Sequence, residues 1–281
     1  MRGSRKYTVS MILSPGFVLT GADALQFLAL CAMLFYAAAA LPLRLSTRAS
    51  SIALMSGWLL HLLMLVLDIS GWGQSLPGTR LGFAPVLSST VWLLLAVHGV
   101  ESRFVPLPSV RIGLATAGAV AVVVAAFYPG EVRQFATRLG PLHFVLGVAS
   151  YGLFGAAVLH ALLLNAAERR LKQHKGSQGT FGLPLLQLER LTFRFVEVGF
   201  VVLSATLLLG VVTPLGWHWD HKAIFSLLAW AVFAGLLIGR RWRGWRGRHA
   251  MRWLYLGAVL LLLAYVGSRF VFEVVLDRPH P

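Results

Sequence analysis

Residues 141–164 read PLHFVLGVASYGLFGAAVLHALLL, 24 residues without one Asp, Glu, Lys or Arg. At 1.5 Å per residue, about 20 apolar residues cross the roughly 30 Å hydrocarbon core of a bilayer. The stretch therefore predicts a membrane-spanning helix. The surrounding chain repeats the theme: of 281 residues, 57% are hydrophobic and 12% are charged, about half the charge of an ordinary soluble domain. Working outward, eight segments are long and apolar enough to span: 22–43, 50–69, 82–100, 110–128, 142–164, 194–213, 222–239 and 253–275. None shows the ten-residue alternation of a barrel strand. The reading is an all-α, polytopic integral membrane protein with about eight transmembrane helices. Residues 22–276 form one transmembrane domain, with tails at 1–21 and 277–281. The polar connection 165–193 is expected to be half ordered.

A formal charge of +15 in a soluble protein would suggest a nucleic-acid partner. Here 16 of the 25 basic residues fall at 44–48, 103–111, 169–194 and 240–252, the loops that follow odd-numbered spans. That is the positive-inside pattern: these loops face the cytoplasm, both termini are periplasmic, and the partner of the charge is the lipid bilayer, with no nucleic acid. The stretch GWRGRHAMRW (244–253) reads as an anchor on anionic lipid. The N-terminal MRGSRKYTVS disagrees, because Arg2, Arg5 and Lys6 fall on the outer side. It is read as a weakly specified tail or an over-extended start, with Met11 as an alternative beginning. The lone Cys31 excludes an internal disulfide and any Cys-x-x-Cys redox or haem-attachment site.

Ionisable residues at membrane depth are costly and therefore informative. His61 lies inside the second span with Asp68 two turns further on. A hydrogen bond between helices is the plainer reading of His61, and a ligand the other. Arg194 with Glu197, and Arg269 with Glu273, have the spacing of local ion pairs. A permease pathway through His61, Asp68, Arg269 and Glu273 is the functional alternative. His98, His160 and His174 near the basic loops are expected to be solvated or snorkelling. Gly152 and Ala156 offer a small-xxx-small face for close helix packing.

His143 opens the fifth span and His160 closes it about 25 Å deeper, so the two cannot share a small centre. His221 opens the seventh span at a depth matching His143, and it ends the loop VTPLGWHWDHKAIF (212–225). Two neutral imidazoles at one depth can hold haem iron from opposite faces, with His143 and His221 as the metal ligands. Trp217 and Trp219 could cover the porphyrin, and Lys222, Arg138 or Arg269 could meet its propionates. The competing reading is an ordinary interfacial belt of tryptophan and histidine. His218, between the tryptophans, could simply face water.

The stretches 141–164, TPLGWHWDHKAIFSLLAWAVFAGLLIGR (213–240) and RHAMRWLYLGAVLLLLAYVGSRFVFEVVL (248–276) resemble the cytochrome c assembly family of membrane proteins, the CcsA and CcmC type with a tryptophan-rich WWD-like loop. The likeness covers roughly residues 20–276 and is nearest to the YpjD-like, HemX-like branch. It implies haem handling. In that family a histidine opens the helix before the loop, several residues ahead of a tyrosine, which His143 and Tyr151 match. Trp217, Trp219, Asp220 and Trp230 match the later part of the loop and the helix after it. Pro214, Leu215 and Gly216 stand where fuller members have the first tryptophan.

Two histidines of the synthetase members are replaced here by Ile238 and by the Ser268–Arg269 region. His221 and His61 are the candidates to stand in for them. The resemblance thus implies an inner-membrane accessory protein that binds haem b and supports cytochrome c assembly. It implies no catalytic residues; the partners are other maturation proteins or an apocytochrome. A solute permease, or a scaffold that no longer binds haem, are the readings of other classes.

Overall fold

The computed structural model describes residues 21–41, 46–72, 78–102, 108–135, 137–172, 185–212 and 219–275. The chain forms α1 (Gly21–Ala40), α2 (Thr47–Ile69), α3 (Phe83–Glu101), α4 (Pro108–Phe127), α5 (Gly140–Lys172), α6 (Leu185–Val212), α7 (His221–Arg243) and α8 (Gly247–Leu262). The axis of α8 continues through a π-helical turn at Leu263–Gly267, an α-helical Ser268–Phe270 and a second π turn at Val271–Val275. Eight helices are long and apolar enough to cross a membrane, so the chain is an all-α polytopic membrane protein. Side-chain caps fix two of the helix starts. The Ser46 hydroxyl accepts the Ala49 amide, and the Asp220 carboxylate accepts the Ala223 amide at 2.8 Å. α7 stops at Gly244, whose φ of 65° is the left-handed conformation a side chain would resist.

The segment 165–193 is more helical at its flanks than its polarity suggests, since α5 runs to Lys172 and α6 begins at Leu185. Leu188, Thr192, Val196, Gly199, Leu203 and Thr206 are buried at three- and four-residue intervals, while Arg190 and Arg194 point outward. An amphipathic extension of this kind is stable outside the apolar window because one face stays packed. Arg194 and Glu197 are both exposed and form no ion pair. Glu189 instead takes Arg240 of α7 at 3.2 Å, with the guanidinium over the Phe193 ring.

Two four-helix halves meet along α3 and α5. In the first, Tyr36 of α1 lies between Gly57 of α2 and Gly118 of α4; a Cβ at either glycine would come within about 3 Å of its ring. In the second, Phe154 of α5 stacks on Phe233 of α7 at 3.8 Å, with Gly199 beneath one ring and Gly257 beneath the other. Gly152 lets Leu93 of α3 approach α5, and Ala156 is fully buried, so the small-residue face does make a close seam. His160 completes that seam: it bridges to Glu101 of α3 at 3.0 Å and to the Ala156 carbonyl at 2.7 Å. The expectation that His98 and His160 would be solvated is therefore corrected. Both are buried, His160 because α3 brings it a carboxylate. His174 lies outside the described residues.

Two short strands, β1 (Thr79–Leu81) and β2 (Glu131–Arg133), pair antiparallel and tie the loops after α2 and α4 together. Arg80 of β1 reaches back to Asp68 at 2.9 Å, and Glu131 of β2 lies 4.0 Å from Arg269. The sheet therefore marks one end of the bundle. The Glu101–His160 and Glu189–Arg240 pairs, among the basic loops, mark the other. Arg269 finds its carboxylate across the bundle, and the Glu273 side chain lies outside the described part of the structure.

Candidate functional site

Three helices converge at the sheet end around the expected ligand. His143 sits in the first turn of α5, against the last two turns of α6. The Thr206 carbonyl lies within hydrogen-bonding reach of its ring. Gly210, one turn further along α6, leaves space beside it; a Cβ there would come 3.3 Å from Cε1 and 3.8 Å from Nδ1. The Nδ1 atom is buried and has no hydrogen-bond partner. Buried nitrogens rarely stay unmatched without a reason. A ring with one nitrogen on a backbone carbonyl and a lone pair on the other has the arrangement that metal-binding histidines use. Which nitrogen faces which neighbour is exchanged by a 180° ring flip.

His221 is the first residue of α7, half-buried at the same end of the bundle. Asp220 is exposed and serves as the N-cap of α7, and Trp219 is 73% exposed. Trp217 lies outside the described residues, as does His218. Trp230, on the next two turns of α7, donates its indole N–H to Ser204 at 2.8 Å and stacks on Phe200. It fastens α7 to α6 one level below His143.

Tyr151 lies two turns below His143 on α5, and its hydroxyl donates to the Leu261 carbonyl of α8. That carbonyl precedes the π turn at Leu263–Gly267, where the hydrogen-bond ladder lengthens by one residue and releases an acceptor. Tyr151 satisfies it. Ser268 closes the other side of the turn by donating to the Ala264 and Tyr265 carbonyls. Arg269 follows, 3% exposed, beside the Tyr265 ring and Glu131. No residue type in this stretch announces a π turn, so sequence reasoning missed it, as it missed Thr206 and Gly210.

His61 belongs to the other half and is fully buried. Tyr36 bonds its Nδ1 at 3.1 Å and Ser88 bonds its Nε2 at 2.7 Å. Both nitrogens are engaged, so ligation there would cost an existing hydrogen bond. Among the described residues no group of three or more His, Cys, Asp or Glu could hold a metal ion on its own. The donor chemistry at the sheet end fits a group that brings its own equatorial ligands, such as a porphyrin. His143 supplies an imidazole, His221 a second at the same end, and Lys222 an ammonium on the first turn of α7.

The sequence pattern of the family described as "Cytochrome C assembly protein" matches residues 19–276. The chain is 34% identical over 159 residues to the inner membrane protein YpjD of Escherichia coli K12, covering 55% of this chain and 60% of that one. It is 33% identical over 141 residues to an uncharacterized 28.8 kDa protein of Azospirillum brasilense, covering 48% of this chain and 52% of that one. The cytochrome c biogenesis protein CcsA of Prochlorococcus marinus is 22% identical over 217 residues, 64% of this chain and 69% of the relative. The match to the YpjD relatives spans 60% of their length. No solved structure matches the chain. Eight apolar spans together with these relatives make it a multi-pass protein of the bacterial inner membrane. The chain belongs to the cytochrome c assembly protein family, a membership that supports a role in cytochrome c biogenesis.

Proposed function

We propose that this protein binds haem b at the sheet end of its second half and acts as an accessory haem-handling protein in cytochrome c assembly. The observation that carries the reading is the buried His143 Nδ1, which has no hydrogen-bond partner, set at the same end as the start of the helix that carries His221. His143 and His221 would hold the haem iron, and Trp217 and Trp219 would cover the porphyrin. Asp220 holds the loop to the helix that carries His221, and Tyr151 keeps α5 in register with α8. Lys222 would meet a propionate. Bound haem supplies an iron centre for imidazole ligation and the porphyrin that c-type cytochromes hold through cysteine thiols. The chain's own residues bind and orient that group and shield one edge from water. The covalent step falls to other maturation proteins acting on the apocytochrome.

The basic end lies in the cytoplasm in this reading, which sets both termini and the loop in the periplasm. The permease alternative is weakened by the partners of its residues, since His61 is held by Tyr36 and Ser88 and Asp68 by Arg80. The test is the oxidised and reduced absorption spectrum of detergent-purified protein beside a His143→Ala, His221→Ala double variant. A Soret band with sharp reduced bands, absent from the variant, supports bis-histidine ligation. No Soret band after added haem overturns it and leaves a scaffold without the ligand.

A further inference from the structure

The opposite end of the second half holds a cavity of about 280 Å³ between α5 and α8. Asn165, Glu168 and Arg169 line it from α5, at the three- and four-residue spacing of one helix face. Arg248, Arg252 and Tyr255 line it from α8 at the same spacing. Three guanidiniums thus face one carboxylate. No ion pair joins any of the three to a carboxylate of the described residues. Three like charges beside one carboxylate leave the cavity net positive, and a guanidinium is the side chain best shaped to grip a phosphate through two parallel N–H donors.

A neutral donor points the same way. The Asn165 amide donates to the Tyr255 hydroxyl oxygen at 2.8 Å. The phenol already accepts, so its own O–H remains for an acceptor inside the cavity. The cavity also opens at the N-terminus of α8, whose cap residue Arg246 makes no side-chain capping bond. Uncapped helix amides favour anions. Its volume falls below the ~300–1,000 Å³ that encloses a drug-sized ligand, so it suits a small polar head. At the junction of α7 and α8, next in sequence to the cavity's Arg248, stand Trp245, packed 4.6 Å from His249 and 5.3 Å from Trp253, and the 82% exposed Trp242. Tryptophans of this kind sit at headgroup level.

We propose that this cavity binds the phosphate group of an anionic ligand at the membrane surface, with Arg169, Arg248 and Arg252 as its charged contacts and Tyr255 as its neutral donor. An anionic phospholipid headgroup is the source the tryptophans at the α7–α8 junction favour; a soluble phosphate compound carries the same chemistry. The GWRGRHAMRW stretch is then one wall of a defined site, completed by α5, and not only a diffuse basic surface. The inference is independent of haem binding at the far end.

The experiment uses the full-length protein in mild detergent, titrated with phosphatidylglycerol, phosphatidylcholine or sodium phosphate. Native mass spectrometry reads stoichiometry and thermal unfolding reads affinity. Phosphatidylglycerol is expected to saturate at one tightly held molecule and raise Tm, with phosphatidylcholine without effect. The Arg169→Gln, Arg252→Gln variant should weaken binding by about tenfold or more, since each loses a charge-assisted hydrogen bond. Tyr255→Phe should weaken it about three- to tenfold. Arg241→Gln, Arg243→Gln removes the same charge at the same end outside the cavity, and it should bind like the wild type. Saturation by sodium phosphate at matching concentrations, abolished in the Arg169/Arg252 variant, would keep the site and assign its ligand to the soluble pool. Equal losses in the two double variants, or equal binding of phosphatidylcholine, would overturn the proposal.

Discussion

The two halves of the bundle solve the same problem with different chemistry. In lipid, apolar surface alone does not drive helices together, so contact must come from close packing and from hydrogen bonds between helices. The first half leans on hydrogen bonds. Tyr36, His61 and Ser88 link α1, α2 and α3 in one buried chain. Trp58 and Trp92 stack at 4.8 Å, and each indole donates to the other's backbone carbonyl. The second half leans on shape: the Phe154–Phe233 stack is wedged between two glycines, and Ala157, Ala161, Leu236 and Leu254 fill the space around it. The first half consumes His61 and the Asp68 carboxylate internally. The second packs an apolar cluster and holds a histidine with a partnerless nitrogen at its end. That difference, more than residue type, is the ground for proposing the ligand site in the second half.

The contrast can be broken most sharply at Phe233. Phe233→Ala should destabilise the protein by about 3–5 kcal/mol, the cost of truncating a buried aromatic, read as loss of Tm in detergent. Gly257→Ala attacks the same stack from below, because its Cβ would lie 2.6 Å from the Phe233 ring, itself pinned by Phe154. About 1–3 kcal/mol is expected from that overpacking. If Gly257→Ala were neutral, the second half would not be the rigid body described.

In the first half, His61→Ala strands the Tyr36 and Ser88 hydroxyls and should cost about 1–3 kcal/mol. The triple change Tyr36→Phe, His61→Leu, Ser88→Ala should recover much of it, since removing every partner leaves nothing unpaired. A triple variant worse than His61→Ala alone would show that the chain of bonds is not what His61 provides. Trp58→Phe with Trp92→Phe should show a coupling of about 1 kcal/mol in a double-mutant cycle. The smallest effect is at Asp220: Asp220→Ala removes the α7 cap and should cost about 1 kcal/mol or less. Its haem spectrum should be unchanged if Asp220 works only as a cap.

The eight spans were legible because crossing a bilayer demands long uncharged runs, and nothing else in a protein of this size produces eight of them. Helix ends were less so. The first turns of α6 carry Glu189, Arg190 and Arg194, which lower a hydropathy window even though Leu188, Thr192 and Val196 remain buried. Contacts between distant segments were invisible. Glu101 lies 59 positions from His160, and Arg269 lies 138 from Glu131, so spacing pointed to Glu273 as the local partner. The π turns that place Arg269 leave no mark in composition. His143 was legible from its position at the start of a span, but its neighbours Thr206 and Gly210 were not, because they belong to a helix that reads as uniformly apolar.

The most direct test compares two single variants, His143→Ala in the second half and His61→Ala in the first, by Soret absorbance at equal protein concentration after haem is added. The account predicts that His143→Ala loses the bis-histidine spectrum and that His61→Ala keeps it at lowered thermal stability. Loss of the spectrum in His61→Ala with retention in His143→Ala would contradict it, and would move the haem site to the half whose imidazole is already hydrogen-bonded.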